Sequence, residues 1–142
     1  MDLNFGHMII EKDGIKCTCG KNGCLERYAS MNALKQKVAN SKKLEHVSGK
    51  ELYEMIKNDE EDIRDIINEF IQNLSIGLTN IIRIFEPEII SIGGSFIYFE
   101  DLLLDRVKSK VEEIIRVYNG NLPEIVAASL GNDAGIIGAT IV

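Results

Sequence analysis

Residues 17–26 read Cys17-Thr18-Cys19-Gly20-Lys21-Asn22-Gly23-Cys24-Leu25-Glu26, and His7 stands ten residues before the first cysteine. All three cysteines of the 142-residue chain lie in this stretch, and an odd number is a poor basis for a disulfide framework. Three thiolates and one imidazole instead supply the four ligands of a closed tetrahedral zinc site, with Gly20 and Gly23 allowing tight turns between them. The alternative is three free thiols in a reduced protein.

The composition is ordinary for a globular domain with a buried core, at 45% hydrophobic and 27% charged residues. A net charge of −6 argues against a nucleic-acid-binding face, so no direct nucleic-acid binding is expected. The N-terminus has no signal-peptide pattern, and no uncharged apolar run reaches the roughly 18 residues of a membrane span. No membrane association is therefore expected, and reduced cysteines favour the cytoplasm.

The first third of the chain predicts a hairpin and two short helices. Asp13-Gly14 separates the apolar runs 8–10 and 15–17, which indicates a β-hairpin from which the cysteine loop extends. Ser30 is a candidate N-cap for a helix over about 31–39. Ser48 and Glu51 fit a capping box before a helix that buries Leu52, Tyr53 and Ile56.

The remainder predicts alternating helices and strands. Apolar residues recur at helical spacing over about 61–85, and Pro87 ends that helix. We expect a buried strand at 88–92, an amphipathic helix over about 98–118, a strand at 125–128 and a closing helix rich in small residues at 133–140. This order indicates an α/β domain.

These residues resemble the ROK family (repressors, open reading frames and sugar kinases). The family hallmark is a Gly-His pair followed about ten residues later by Cys-x-Cys-Gly-x-x-Gly-Cys-x-Glu, which Gly6-His7 and residues 17–26 reproduce. Residues 87–95 and 130–139 also look like the C-terminal segments of the family. The resemblance therefore covers essentially the whole chain.

The resemblance implies a partial actin-like ATPase (ribonuclease H-like) lobe of the α/β class with a zinc-binding loop. Family members have two such lobes around a cleft for sugar and ATP. Residues 1–142 are thus expected to be a C-terminal ROK-type fragment, with the zinc loop at 7–26, the helices and strands of the lobe at 30–142, and the N-terminal lobe absent. The general base and the phosphate loops of the family have no counterpart here, so no catalytic residue is assigned and the chain alone is expected to be inactive.

The resemblance also assigns sugar contacts. His7 matches the histidine that binds zinc and approaches the sugar, although a lone histidine beside a strand is more often structural. Glu26 matches the glutamate that accepts hydrogen bonds from sugar hydroxyls; the alternative is an exposed charge before a helix. Asn4 stands where the family usually has another sugar-binding glutamate, and an amide lacks the charge that strengthens such bonds.

Gly93, Gly94 and Ser95 follow the 88–92 strand and match the segment where the family backbone lies close to the nucleotide; a tight turn is the alternative. The metal ligands would be His7, Cys17, Cys19 and Cys24. Such a zinc ion is structural, because four protein ligands leave no open position for water. ATP and Mg²⁺ are expected only in the complete protein.

Three functions remain open. The first is the zinc-containing half of a glucokinase-like or fructokinase-like sugar kinase, whose partners are a hexose-type sugar and ATP. The second is the sugar-sensing half of a ROK transcriptional repressor, and the third is a degenerate, non-catalytic module. In the family, a glycine-rich Asp-x-Gly-Gly-Thr segment upstream indicates a kinase, and an upstream helix-turn-helix indicates a repressor. Association into a homo-oligomer is expected, since a chain lacking one lobe exposes additional apolar surface.

Overall fold

The computed structural model describes residues 5–116 and 120–128, together with the backbone of residues 138–141. Within these residues the chain forms five α-helices and three short strands. The helices are α1 (Glu26–Ala29), α2 (Met31–Lys42), α3 (Gly49–Lys57), α4 (Arg64–Phe85) and α5 (Glu100–Ile115). The strands are β1 (Ile89–Ile92), β2 (Glu124–Ala127) and β3 (Gly138–Ile141). None of the helices in the described part of the chain is long and apolar enough to cross a bilayer.

Both predicted helix caps are present. The Ser30 hydroxyl accepts a hydrogen bond from the Ala33 amide at 3.1 Å, and Ser48 and Glu51 form the reciprocal capping box. Helix α2 runs to Lys42, three residues past its predicted end. It stops there because Lys43 adopts a left-handed conformation (φ 57°), which turns its N–H back to the last carbonyls of the helix.

Helix α4 contributes more side chains to the apolar core than any other helix or strand in the described part of the chain. A 3-10 turn at Glu61–Ile63 precedes it, so the α-helix proper begins three residues later than predicted. Its buried apolar side chains follow one face of the helix: Ile67, Phe70, Ile71, Leu74, Leu78, Ile81 and Ile82. The helix ends where Glu86 turns left-handed (φ 46°) immediately before Pro87. Phe85 lies outside the core with its ring 48% exposed, in edge contact with Phe5.

The three strands form one parallel sheet in the order β2-β1-β3. Ile90 of the central strand β1 pairs with Ile125 on one side and with Ala139 on the other. Helix α5 connects β1 to β2 and packs against α4. A 3-10 turn at Gly94–Phe99 separates β1 from α5, which therefore begins at Glu100 rather than at 98. The expected α/β class is confirmed.

The predicted hairpin at 8–17 is wrong in its pairing. Asp13 does turn the chain with a left-handed conformation (φ 56°), but runs 8–10 and 15–17 do not pair with each other. Both instead pair with residues 22–24, through bridges of Ile9 to Cys24 and of Lys16 to Asn22. Residues 22–24 fit between runs 8–10 and 15–17 because Gly23 has no side chain. A Cβ at position 23 would overlap the Glu11 carbonyl oxygen.

The helix predicted over 133–140 is wrong at residues 138–140. Residues 138–141 are a strand beside β1, and residues 129–137 lie outside the described part of the chain. The second edge of β1 exposes backbone N–H and C=O groups, and the 138–141 segment satisfies them. The sequence pattern did not reveal this, because small residues such as Gly138 and Ala139 fit a packed helix equally well.

Candidate metal centre and adjoining cleft

Backbone hydrogen bonds fold the cysteine loop around Gly23. The Gly23 N–H donates to the Ile15 carbonyl at 2.8 Å, and its carbonyl accepts from the Ile10 amide at 2.9 Å. The Cys17 amide donates to the Lys21 carbonyl at 2.8 Å, which closes a turn that includes Gly20 (φ 96°). Positive φ values at both glycines are the conformations predicted for them. The turns bring residue 7, residues 17–19 and residue 24 close together.

The four predicted ligand side chains meet there. One ligand atom each from His7, Cys17, Cys19 and Cys24 lies within 4.8 Å of all the others. His7 Nδ1 is 3.5 Å from Cys17 Sγ, and Cys19 Sγ is 3.5 Å from Cys24 Sγ. Bonds of about 2.3 Å to sulfur in a tetrahedral site separate the ligands by about 3.8 Å, so these spacings fit a tetrahedral metal ion. The cluster could therefore hold a metal.

The thiols differ in their readiness to ionise. Backbone hydrogen bonding from Cys19 lowers the pKa of the Cys17 thiol to about 6, against an opposing effect of burial. Burial raises the pKa of the Cys24 thiol to about 11, and the neighbouring cysteines add to that shift. At neutral pH Cys17 is thus the thiolate and Cys24 the thiol. A cluster that already contains a thiolate attracts a cation.

His7 connects the cysteine cluster to Glu26. Its Nδ1 faces Cys17, while its Nε2 lies 3.7 Å from Glu26 Oε2. Glu26 is the first residue of α1, two positions after Cys24, so the last cysteine of the loop also fixes the start of this helix. The His7 side chain is 28% exposed and that of Glu26 is 50% exposed, so both groups are accessible from outside the cluster.

Glu26 also lines an open cleft of about 210 Å³. The cleft walls come from Glu26 and Ala29 of α1, residues 30–32 at the start of α2, Leu74 of α4, and residues 92–96 at the carboxyl end of β1. Gly93, Gly94 and Ser95 are among them, so the structure brings the predicted sugar-binding glutamate and the predicted nucleotide-binding segment to one cavity. In parallel sheets, ligands bind beyond the carboxyl ends of the strands.

The predicted site residues and the residues that line the cleft are not the same set. Asn4 lies outside the described residues. Two polar cleft residues, Ser30 and Asn32, were not predicted as lining residues. The N-cap signal at Ser30 already indicated where α2 begins, but the sequence did not show that this end of the helix faces β1.

Known proteins resemble the chain over nearly its whole length. The sequence profile of the ROK family matches residues 2–142. A xylose repressor of Bacillus spizizenii is 33% identical over 94% of this chain, which spans 34% of that repressor. A glucokinase of Thermotoga maritima is 30% identical over 94% of this chain, which spans 46% of that enzyme. The chain thus spans about a third to a half of these relatives.

Solved structures show the same likeness. The crystal structure of a ROK family glucokinase from Streptomyces griseus, in complex with glucose and AMPPNP, superposes with a TM-score of 0.76 at 25% identity. The superposition covers 89% of this chain and 46% of that enzyme. The cysteine cluster, the parallel sheet and the family match agree, and the chain belongs to the ROK family.

Proposed function

We propose that this chain is the zinc-containing C-terminal part of a ROK sugar kinase, and that it supplies contacts to a hexose-type sugar and to ATP. The position of Glu26 carries the proposal, because its carboxylate lies near His7 Nε2 and also lines the cleft that Gly93–Ser95 border. A carboxylate accepts hydrogen bonds from sugar hydroxyls, and an imidazole nitrogen beside it can donate or accept another. The catalytic base and phosphate loops expected of the family are not among residues 1–142, so the chain contributes binding rather than chemistry.

The metal in this proposal is zinc, held by His7, Cys17, Cys19 and Cys24. A bound zinc ion supplies a cross-link and no activated water, since its four protein ligands fill the tetrahedron. The use of Nδ1 for the metal leaves Nε2 directed toward Glu26. The metal centre thereby fixes the ring orientation that the sugar contact needs.

The glycines after β1 support the nucleotide contact. Gly93 and Gly94 carry no side chain, and Ser95 adds a hydroxyl beside them at the carboxyl end of the central strand. A nucleotide can approach such a backbone closely. The Streptomyces griseus glucokinase was crystallised in complex with glucose and AMPPNP, which supports the binding of both a sugar and a nucleotide.

A sugar-sensing repressor is the second candidate. The Bacillus spizizenii xylose repressor is 33% identical to this chain, compared with 30% for the Thermotoga maritima glucokinase. Position 4 also holds asparagine where the family usually has a sugar-binding glutamate. In a repressor, the same Glu26 and His7 would report the presence of a sugar instead of presenting it for phosphorylation.

Sugar binding is tested by calorimetric titration of the zinc-loaded chain with D-glucose and D-xylose. Glu26→Gln removes a charge-assisted hydrogen bond, and we expect affinity for the bound sugar to fall about tenfold or more. Glu45→Gln is the matched control, because Glu45 is exposed and lies beyond the opposite end of α2. Equal affinity of the Glu26→Gln and unsubstituted chains would contradict the assignment of Glu26.

The metal is tested by elemental analysis of protein purified without chelator. We expect about one zinc per chain, and loss of that zinc in Cys19→Ser, because metal binding at such a site is coupled to folding of the loop. Thr18→Ser at the neighbouring exposed position should keep the metal. Zinc-free protein from the unsubstituted chain would refute the metal centre.

The genomic sequence upstream of the codon for Met1 distinguishes the two candidate parents. A glycine-rich Asp-x-Gly-Gly-Thr segment in the same reading frame supports the kinase. A helix-turn-helix pattern in that position contradicts it and supports the repressor.

A further inference from the structure

The Tyr28 hydroxyl connects helix α1 to the cysteine loop. It accepts a hydrogen bond from the Ile15 backbone N–H at 2.8 Å, across thirteen residues of sequence. The carbonyl of the same Ile15 accepts the Gly23 N–H at 2.8 Å. Ile15 is two residues before Cys17, and Gly23 is directly before Cys24. The Tyr28 hydroxyl thus holds Ile15 in place. Because Ile15 is also hydrogen-bonded to Gly23, this contact aligns the segment of Cys17 with that of Cys24.

The absence of a side chain at Gly14 leaves room for the Tyr28 hydroxyl. A Cβ on Gly14 would overlap the Tyr28 hydroxyl oxygen, so a residue with a side chain at position 14 would displace the phenol. The next residue, Ile15, supplies the N–H that Tyr28 accepts. The glycine of the Asp13-Gly14 turn therefore serves this approach in addition to turning the chain.

The position of the Tyr28 ring is set from outside the loop. The Lys37 ammonium of α2 lies 5.8 Å from the ring centroid, within range of a cation–π contact. Lys37 Nζ also lies 3.4 Å from a carboxylate oxygen of Glu69 on α4. Tyr28 itself belongs to α1, whose first residue is Glu26. The hydroxyl consequently links the position of these helices to that of the cysteine loop.

We propose that Tyr28 is a positioning residue for the metal centre. Its hydroxyl holds Ile15, and through Ile15 the Cys17 and Cys24 segments, in the arrangement that binds the ion. The inference rests on the zinc binding proposed above, and it adds a residue that is neither one of the four candidate ligands nor one of the residues lining the cleft. It requires no sugar binding.

Tyr28→Phe removes one oxygen atom and tests the proposal. The zinc dissociation constant is measured by competition with a chromogenic chelator, and the melting temperature with and without zinc. One lost hydrogen bond should weaken zinc binding about threefold to tenfold. The zinc-loaded form should melt at a lower temperature than the unsubstituted chain, whereas the zinc-free forms should melt alike. Tyr98→Phe makes the same chemical change at a side chain that is 71% exposed, and it should alter neither quantity.

Two results would overturn the inference. The first is an unchanged zinc dissociation constant in Tyr28→Phe. The second is an equal fall in melting temperature with and without zinc, which is the signature of a general packing role. If the unsubstituted chain binds no zinc, the metal centre and this inference fail together. If it binds zinc but no sugar, only the sugar part of the proposed function fails.

Discussion

Cys17 and Cys24 are both buried in one cluster, yet their thiols have opposite acidities. Burial disfavours a thiolate and raises the pKa of each. At Cys17, backbone hydrogen bonding from Cys19 outweighs burial and lowers the pKa to about 6. At Cys24 no such donor offsets burial, and the pKa rises to about 11. The cluster is therefore partly prepared for a cation before one binds.

These pKa values predict how zinc affinity depends on pH. Cys24 is protonated up to about pH 11 in the metal-free chain, so it must lose its proton when zinc binds. We expect the apparent affinity to rise at least about tenfold for each pH unit between about pH 7 and pH 9. Cys17, with its pKa of about 6, is already ionised in that range and adds nothing to the slope there.

Below about pH 6 the Cys17 thiolate is itself protonated, so zinc binding there must release a further proton. The plot of log affinity against pH should therefore be steeper below pH 6 than above pH 7. Competition titrations with a chelator of known pH dependence provide the measurement. A slope near zero between pH 7 and pH 9 would contradict the loss of a proton from Cys24 on zinc binding.

The convergence of the four candidate ligands was predictable from sequence, whereas the pKa values were not. Residue type and spacing at positions 7, 17, 19 and 24 are enough to indicate a four-ligand site. The opposite shifts at Cys17 and Cys24 depend on which thiol is near a backbone amide. That relation exists only after the loop has folded.

At the scale of elements, the contact between the cysteine loop and α4 depends on Gly77. A Cβ at this position would lie 2.6 Å from one methyl carbon of Leu25 and 2.9 Å from the other. Leu25 is only 1% exposed and stands between Cys24 and Glu26. The glycine lets this leucine insert against the helix, which places the metal loop and the cleft residue together.

Gly77→Ala should accordingly destabilise the protein. Overpacking at Leu25 costs about 1 to 3 kcal/mol, and the gain in helix propensity returns up to about 1 kcal/mol. We expect a net loss of roughly 1 to 2 kcal/mol in the free energy of unfolding, measured by urea denaturation of the zinc-loaded chain. Gly49→Ala in α3 is the control, because a Cβ there makes only ordinary contact with Lys35. A Gly77→Ala variant as stable as Gly49→Ala would contradict this account of the packing.

Element prediction succeeded where the signal was local. The Ser30 cap, the Ser48–Glu51 capping box and the stop at Pro87 each depend on neighbouring residues, and each is present. The hairpin failed because the partner of runs 8–10 and 15–17 comes from residues 22–24, which local patterns do not identify. The 138–141 strand was missed for the same reason, since only the edge of β1 selects it.

At the scale of the whole molecule, the cysteine loop stands apart from the main core. The continuous apolar core extends from Met31 to Ile125 and combines side chains of α2, α4, α5, β1 and β2. Cys17 and Cys24 are buried but are not part of it. The loop contacts the rest of the fold through Leu25 and Tyr28, and its order otherwise rests on its own hydrogen bonds and on the proposed metal.

Removal of zinc should consequently unfold the loop and spare the core. We expect hydrogen exchange after chelation to accelerate at the hydrogen-bonded amides of Cys17, Gly23 and Leu25. Amides of α4, such as those of Leu78 and Ile82, should keep their protection. Re-addition of zinc should restore the loop. Loss of protection throughout α4 would show instead that the metal holds the entire chain together.

Two predictions concern the whole chain, its fold class and its association into an oligomer. The α/β class is confirmed, but association into a homo-oligomer stays a prediction. Ile84 and Phe85 are 68% and 48% exposed at the end of α4, and such side chains are compatible with a covered surface.

The two contacts of His7 restrict which substitutions this position can tolerate in evolution. Its two ring nitrogens face different partners, Cys17 on one side and Glu26 on the other. Any replacement of His7 therefore alters both the cysteine cluster and the surroundings of the cleft residue Glu26. Glu26, Ser30 and Asn32 line the cleft and are not among the four candidate ligands, so their exchange removes no ligand atom. Under the proposed sugar-binding function, adaptation to a new sugar is less constrained at those positions than at His7.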